Sequence, residues 1–274
     1  MTATQDALRA AILEHGVTLP SMPAVAAKIA ASMRDGDVTS KHLADELAAD
    51  PALAARVIRV ANSSLYRAEG RIDRLDLAIT RIGIASTRRL VLGMSLKLAG
   101  LAAPLIVRHR MSTLWTRSTE VAAIARVLAR NCFGLNAEEA LLAGLVHRIG
   151  ELPLLSMVST MPKLLRQPEL MEAAIDAEQA QVGSLLLHSW QFPDELADVP
   201  LNVTDLTRSH PGRADYSDVV TVARLYARTD AEAARAAGVD PATVPAFAAL
   251  GLAPNREAVE LDEHEINETR ELLA

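Results

Sequence analysis

The residues best placed for chemistry are His147 and Arg148, side by side near the end of the apolar run AEEALLAGLVHRIGELPLL over residues 137–155. An imidazole in such a run has two uses. It can ligate a divalent metal, which makes hydroxide from bound water at neutral pH, or it can sit hydrogen-bonded inside a helical bundle. Arg148 cannot share the first task, because a guanidinium has five donors, no acceptor and a permanent positive charge. A single ligand does not hold a catalytic ion, so the sequence favours the hydrogen-bonded imidazole. His109 and His210 form no i,i+4 metal pair with another His or a carboxylate. Cys132, the single cysteine, excludes an internal disulfide. Beside Phe133-Gly134 it reads as a small packed hydrophobe rather than a catalytic thiol.

Elements able to position these groups are helical throughout, since apolar residues recur at helical spacing and sustained strand alternation is missing. Val25, Ile29 and Met33 mark a first helix before Asp35-Gly36, and Leu43 and Leu47 mark a second. Asp50-Pro51 is a good N-cap and first-turn pair for a third, with Leu53, Val57 and Ala61 inward. Asn62-Ser63-Ser64 reads as its terminator. Leu75, Ile79 and Ile82 make a fourth that Gly83 stops, and Leu90, Val91, Met94 and Leu98 a fifth. These define an N-terminal helical subdomain over residues 1–103, bounded by the apolar stretch Gly100–Pro104.

The second unit, residues 104–274, is expected to hold a helix over Ser118–Arg130 and another launched by Asn136, with Glu139 as a capping-box partner. One or two helices should follow over Glu169–Trp190, then a loop from Pro200 to Tyr216 and a helix from Val219 to Arg228. A short helix opened by Asp240-Pro241 and an acidic one over Asn255–Leu273 complete the chain, with Trp115 and Trp190 as core anchors.

The N-terminal runs Leu19-Pro20-Ser21-Met22-Pro23, Asp50-Pro51-Ala52-Leu53 through Ala61-Asn62-Ser63, and Arg89-Leu90-Val91-Leu92-Gly93 together resemble the HDOD family. These are the HD-related output domains of bacterial signalling, degenerate relatives of the HD and HD-GYP phosphohydrolases. The resemblance covers roughly residues 17–240. It implies an all-α fold, an N-terminal five-helix bundle packed on a degenerate HD-like bundle. It also implies a vestigial metal site, in which His147-Arg148 stands where the enzymes carry His-Asp. Arg117 replaces the His of a Leu-Trp-x-His-Ser motif, Gln179 the His four residues before Gly183, Asn202 or its neighbour the next His, and Arg224 the final Asp. Only His147 of that set is a metal ligand by type, and three positions have become arginine.

Half of the 274 residues are apolar and only 3% aromatic, a composition rich in helix formers. The net charge of −6 gives no general attraction to nucleic acid or anionic lipid. Asp6, Arg9, Glu14 and His15 interrupt any signal-peptide core, and the apolar run Leu98–Val107 is too short to span a bilayer. A cytoplasmic location is therefore expected, with no nucleic acid and no membrane as partners.

From resemblance and composition together, the chain is expected to be a non-catalytic regulatory module with no metal and no cofactor, acting on other signalling proteins by protein–protein contact. Two alternatives remain. One is a metal-dependent phosphohydrolase using Glu151, Glu178 and Asp205 as replacement ligands. The other is a nucleotide or anion sensor with Arg117, Arg148 and Arg224 lining the old metal cavity; the competing use of those arginines is ion pairing with Glu120, Glu151 or Glu178.

Overall fold

The computed structural model describes residues 17–22, 24–32, 39–66, 70–101, 105–228, 238–254 and 261–273, and every regular element among them is helical. The first five helices are α1 (Ala24–Ser32), α2 (Ser40–Leu47), α3 (Pro51–Ala61), α4 (Leu75–Ile82) and α5 (Ile84–Leu101). Their ends follow local chemistry. Asp50 accepts hydrogen bonds from the Ala52 and Leu53 amides at 3.0 and 3.1 Å and opens α3. Gly83 closes α4 at φ +90°, where a side chain would be strained, with its amide 2.8 Å from the Ile79 carbonyl. Asn62 does more than end α3. Its side chain donates to the Ile72 carbonyl at 2.7 Å and accepts from the Ile72 amide at 2.9 Å, tying down the connection to α4.

The long helix α6 (Leu105–Arg130) runs 26 residues, about 39 Å at 1.5 Å per residue. It starts well before the expected Ser118, because Arg108 to Thr113 show no apolar stripe yet contain nothing that breaks a helix. Against it pack α7 (Ala137–Val146), α8 (Glu151–Val158), α13 (Tyr216–Tyr226) and α15 (Glu263–Leu273). Between them lie α9 (Pro162–Leu165), α10 (Pro168–Ser189), α11 (Asp194–Ala197), α12 (Val199–Asn202) and α14 (Pro245–Leu250). Glu169–Trp190 is thus one helix. The expected loop from Pro200 begins inside α12, where proline in the first helical turn sacrifices no hydrogen bond. Asp215 and Asp218 form a reciprocal capping box, so α13 starts at Tyr216 rather than Val219. Asp240-Pro241 opens a single 3₁₀ turn before α14. Met33, Asp35-Gly36, residues 102–104 at the expected boundary, and 255–260 lie outside the described residues.

Two apolar cores form, and they share walls. The N-terminal one, around Ile29, Leu43, Ile79 and Val91, also takes in Ala122, Leu141 and Leu145 from α6 and α7 and Leu273 from α15. The larger one centres on Ile124, Leu142, Leu154 and Leu186. Trp190 anchors it, its indole N–H donating to the Pro20 carbonyl at 3.0 Å, while Trp115 is half-buried where the two cores meet. Ala137–Val158 is long and apolar enough to cross a membrane by composition alone. In the fold it is broken between α7 and α8, and 78% of its apolar window is buried inside the protein.

Candidate functional site around His147 and Arg148

His147 sits in the turn between α7 and α8 and is 1% exposed. Its Nδ1 lies 2.6 Å from the Gly144 carbonyl oxygen, which can only accept, so Nδ1 carries the proton. Two glycines fix this turn against its neighbours. A Cβ on Gly144 would come 2.5 Å from Ala122 Cα, so glycine lets α7 lie directly on α6. A Cβ on Gly150 would overlap the Gln179 carbonyl oxygen, bringing the turn onto α10.

Arg148 points to carboxylates. Its Nε donates to Glu151 and its Nη2 to Asp176 on α10, and the guanidinium is only 15% exposed. Burial opposes its charge, but Glu151 and Asp176 more than offset that, so its pKa lies above the ordinary guanidinium value. The expected pairing with Glu151 is present. Asp176 was missed, although it stands three residues before Gln179 on the same helix face. Arg117 is exposed on α6 and shares with Arg148, Glu151 and Asp176 a small cavity of about 340 Å³. Arg224 does not line that cavity among the described residues; its Nη1 donates to the Val203 carbonyl at the end of α12. Glu120 accepts from the Arg228 amide at 3.3 Å instead of pairing with Arg117.

Gln179 is 3% exposed beneath Gly150, and Asn202 donates to Ser217 Oγ at 3.1 Å. Asp205 is exposed and caps its own turn, accepting from the Thr207 amide at 2.9 Å and hydroxyl at 2.6 Å. The donor set does not fit a divalent metal. Beside one imidazole stand an amide, an asparagine bonded to serine and a guanidinium whose two carboxylates it already holds, and no hard or borderline cation selects that combination.

Elsewhere, His210, Asp215 and Asp218 bring donor atoms within 4.8 Å of one another. His210 Nε2 is 2.8 Å from Asp218 Oδ2, and Arg208 donates to both aspartates. With a guanidinium inside it and both carboxylates capping α13, the group is a charged helix cap. Spacing alone hides it, because His210 approaches Asp218 through a turn rather than along a helix.

A second charged cluster is buried. Arg126 of α6 donates from Nε to Glu138 of α7 at 3.1 Å and from Nη1 to Glu265 of α15, and Arg130 donates to the same Glu265. The Tyr66 hydroxyl donates to Glu138 at 2.5 Å, and the Arg126 guanidinium lies 5.6 Å from the Tyr66 ring centre. The side chains of Arg126, Glu138 and Glu265 are 6–7% exposed. Burial and the nearby Glu138 carboxylate raise the Tyr66 pKa. Glu139 does not close the expected capping box: the Asn136 amide donates to the Tyr216 hydroxyl at 3.2 Å, which donates on to Glu139 at 2.6 Å.

These helices define an all-α protein of the HD-like class. The HDOD domain matches residues 19–205, and the chain belongs to that family. Its fold is similar to that of a candidate metal-dependent phosphohydrolase from Shewanella amazonensis, with a TM-score of 0.86 and 24% identity over the whole of both chains. An HDOD domain protein of unknown function from Geobacter sulfurreducens aligns with a TM-score of 0.65 and 22% identity, covering 98% of this chain and 97% of that one. A candidate signal transduction protein from Marinobacter aquaeolei gives 0.64 and 24%, covering 99% of this chain and 64% of its own. At these identities the likeness is one of fold. No curated protein matches the chain.

Proposed function

We propose that this chain is a non-catalytic regulatory module of bacterial signal transduction, acting in the cytoplasm by contact with other signalling proteins. The observation that carries the reading is Arg148 locked between Glu151 and Asp176 where the enzymes of the wider class place a metal-binding Asp. A guanidinium offers a dication no lone pair, and so paired it removes from use the nearest carboxylate that could replace the lost ligand. Membership of an output-domain family and a fold shared with a candidate signal transduction protein support the signalling role. The phosphohydrolase alternative needs Glu151, Glu178 and Asp205, and of these Glu151 holds Arg148 and Asp205 holds its own turn. The three-arginine sensor is weakened too, because Arg148 is charge-satisfied and Arg224 serves a backbone carbonyl.

Metal analysis of protein purified without chelator tests this directly, together with assays on nucleotides and cyclic dinucleotides. The expected result is no stoichiometric Mn, Fe, Ni or Zn after dialysis and no hydrolysis. Retained metal accompanied by turnover overturns the reading.

A further inference from the structure

A larger cavity, of about 970 Å³, lies between α6, the α7–α8 turn and α15, with Arg148 in its lining. Its wall is apolar: Met111, Leu114, Trp115, Leu145, Ile149 and Leu152. The indole N–H of Trp115 is bonded to the Leu273 carbonyl at 3.2 Å, so this residue offers the cavity a hydrophobic surface. The rim has the opposite character. Arg108 of α6 and Arg270 of α15 line it, and neither has a carboxylate partner among the described residues. Glu271 is the only carboxylate in the described lining. Cationic groups thus gather at this mouth on a chain whose net charge is −6.

From this pairing of an apolar wall with two guanidiniums that no described carboxylate holds, we infer that the cavity binds an amphipathic organic anion. The apolar body lies along Trp115 and the leucines, and the acidic head meets Arg108 and Arg270. The volume falls in the range of ligand pockets, about 300–1,000 Å³. Guanidinium suits phosphate or carboxylate heads equally, through paired N–H donors. Arg148 contributes wall rather than charge, since Glu151 and Asp176 already hold its head. The head-binding charge therefore comes from Arg108 and Arg270 rather than from Arg148. Because α15 supplies one side of the mouth, a bound anion would fasten that helix to α6.

Calorimetric titration of the full chain with decyl phosphate below its micelle concentration tests the site. Decanoate, decyltrimethylammonium and inorganic phosphate serve as separate arms. Saturable one-to-one binding of decyl phosphate is expected. Decanoate should bind as well, the cation at least about tenfold more weakly, and inorganic phosphate without measurable heat. The double variant Arg108→Gln/Arg270→Gln should lose about tenfold in affinity, in line with charge-assisted hydrogen bonds. Ser112→Trp, at an exposed position of the lining, should fill the mouth and abolish binding. Should that variant melt early by circular dichroism, Asn267→Trp fills the same mouth from α15. No binding of decyl phosphate, equal binding of the cation, or unchanged affinity in the double variant overturns the proposal.

Discussion

Gly150 and Gln179 meet backbone to backbone. A Cβ on Gly150 would overlap the Gln179 carbonyl oxygen and stand 2.5 Å from the Gly183 amide nitrogen. Gly150 itself has an ordinary right-handed backbone, φ −64° and ψ −18°. Space, not conformational freedom, requires glycine there. This contact presses the His147–Arg148 turn onto α10 and carries Asp176 to within reach of Arg148.

Gly150→Ala should therefore destabilise the fold, although alanine is the better helix former. Overpacking of a tight core contact costs about 1–3 kcal/mol. Because the obstacle is backbone on both sides, the upper half of that range is expected. Urea unfolding should show a lower midpoint at an unchanged slope; an unchanged midpoint would mean that α10 yields freely.

The buried cluster around Arg126 makes a second prediction. Glu265→Gln removes one carboxylate from a guanidinium that is 6% exposed. Breaking a buried pair by neutralising one partner costs roughly 3–5 kcal/mol. The loss should be felt first in α15, whose end holds Trp115 through the Leu273 carbonyl. In a Trp190→Phe background, Trp115 emission should shift to the red in Glu265→Gln before global unfolding. A single coincident transition would show that α15 is not the weaker element.

How far the sequence carried this structure depends on what kind of interaction held each part. Caps and stops are local, so Asp50 opens a helix and Gly83 closes one where their chemistry demands, and Trp190 was legible as a core anchor. Asn62 looked like a terminator and is also a clasp on Ile72, ten residues away. The ion pairs were half visible. Glu151 lies one turn from Arg148 and could be named, whereas Asp176 comes from another helix, brought close by Gly150. The Arg126–Glu265 pair spans 139 residues, and only the folded chain reveals it. Arg224 was placed with Arg117 and Arg148 by resemblance, but the end of α12 takes it first.

His210 should make stability pH-dependent. Its hydrogen bond to Asp218, against some burial and the nearby Arg208, raises its pKa above the ordinary histidine value, and Asp215 adds to the rise. A group raised on folding binds its proton more tightly in the native state. Its contribution is then complete below the unfolded value of about 6.5 and disappears as pH climbs through the higher native one. Wild type should therefore lose stability relative to His210→Gln as the pH rises from about 6.5 through the raised native value. Parallel curves for the two proteins across that range would remove His210 from the cap. Because α13 begins at this cap, amide exchange near Tyr216 should quicken over the same interval.

Arg148→Asp restores the residue that the enzymes of the wider class carry beside their histidine, yet it should restore no metal site. The new carboxylate would face Glu151 and Asp176 with no guanidinium between them. Of the remaining ligand positions, Arg117 carries the wrong charge, Gln179 and Asn202 are weak neutral donors, and Arg224 is bonded to the Val203 carbonyl. Three acidic groups clustered without a counter-charge repel one another, and Glu151 is only 15% exposed. Loss of the partly buried pairs should cost about 3 kcal/mol, the lower end for a broken buried ion pair, because Asp176 is 60% exposed. Added Mn or Zn should not return that stability in thermal melts, since a ligand that binds only the native state would raise the midpoint. A metal-dependent rise in the melting midpoint of Arg148→Asp, missing from wild type, would mean that one substitution separates this module from a metal-binding ancestor.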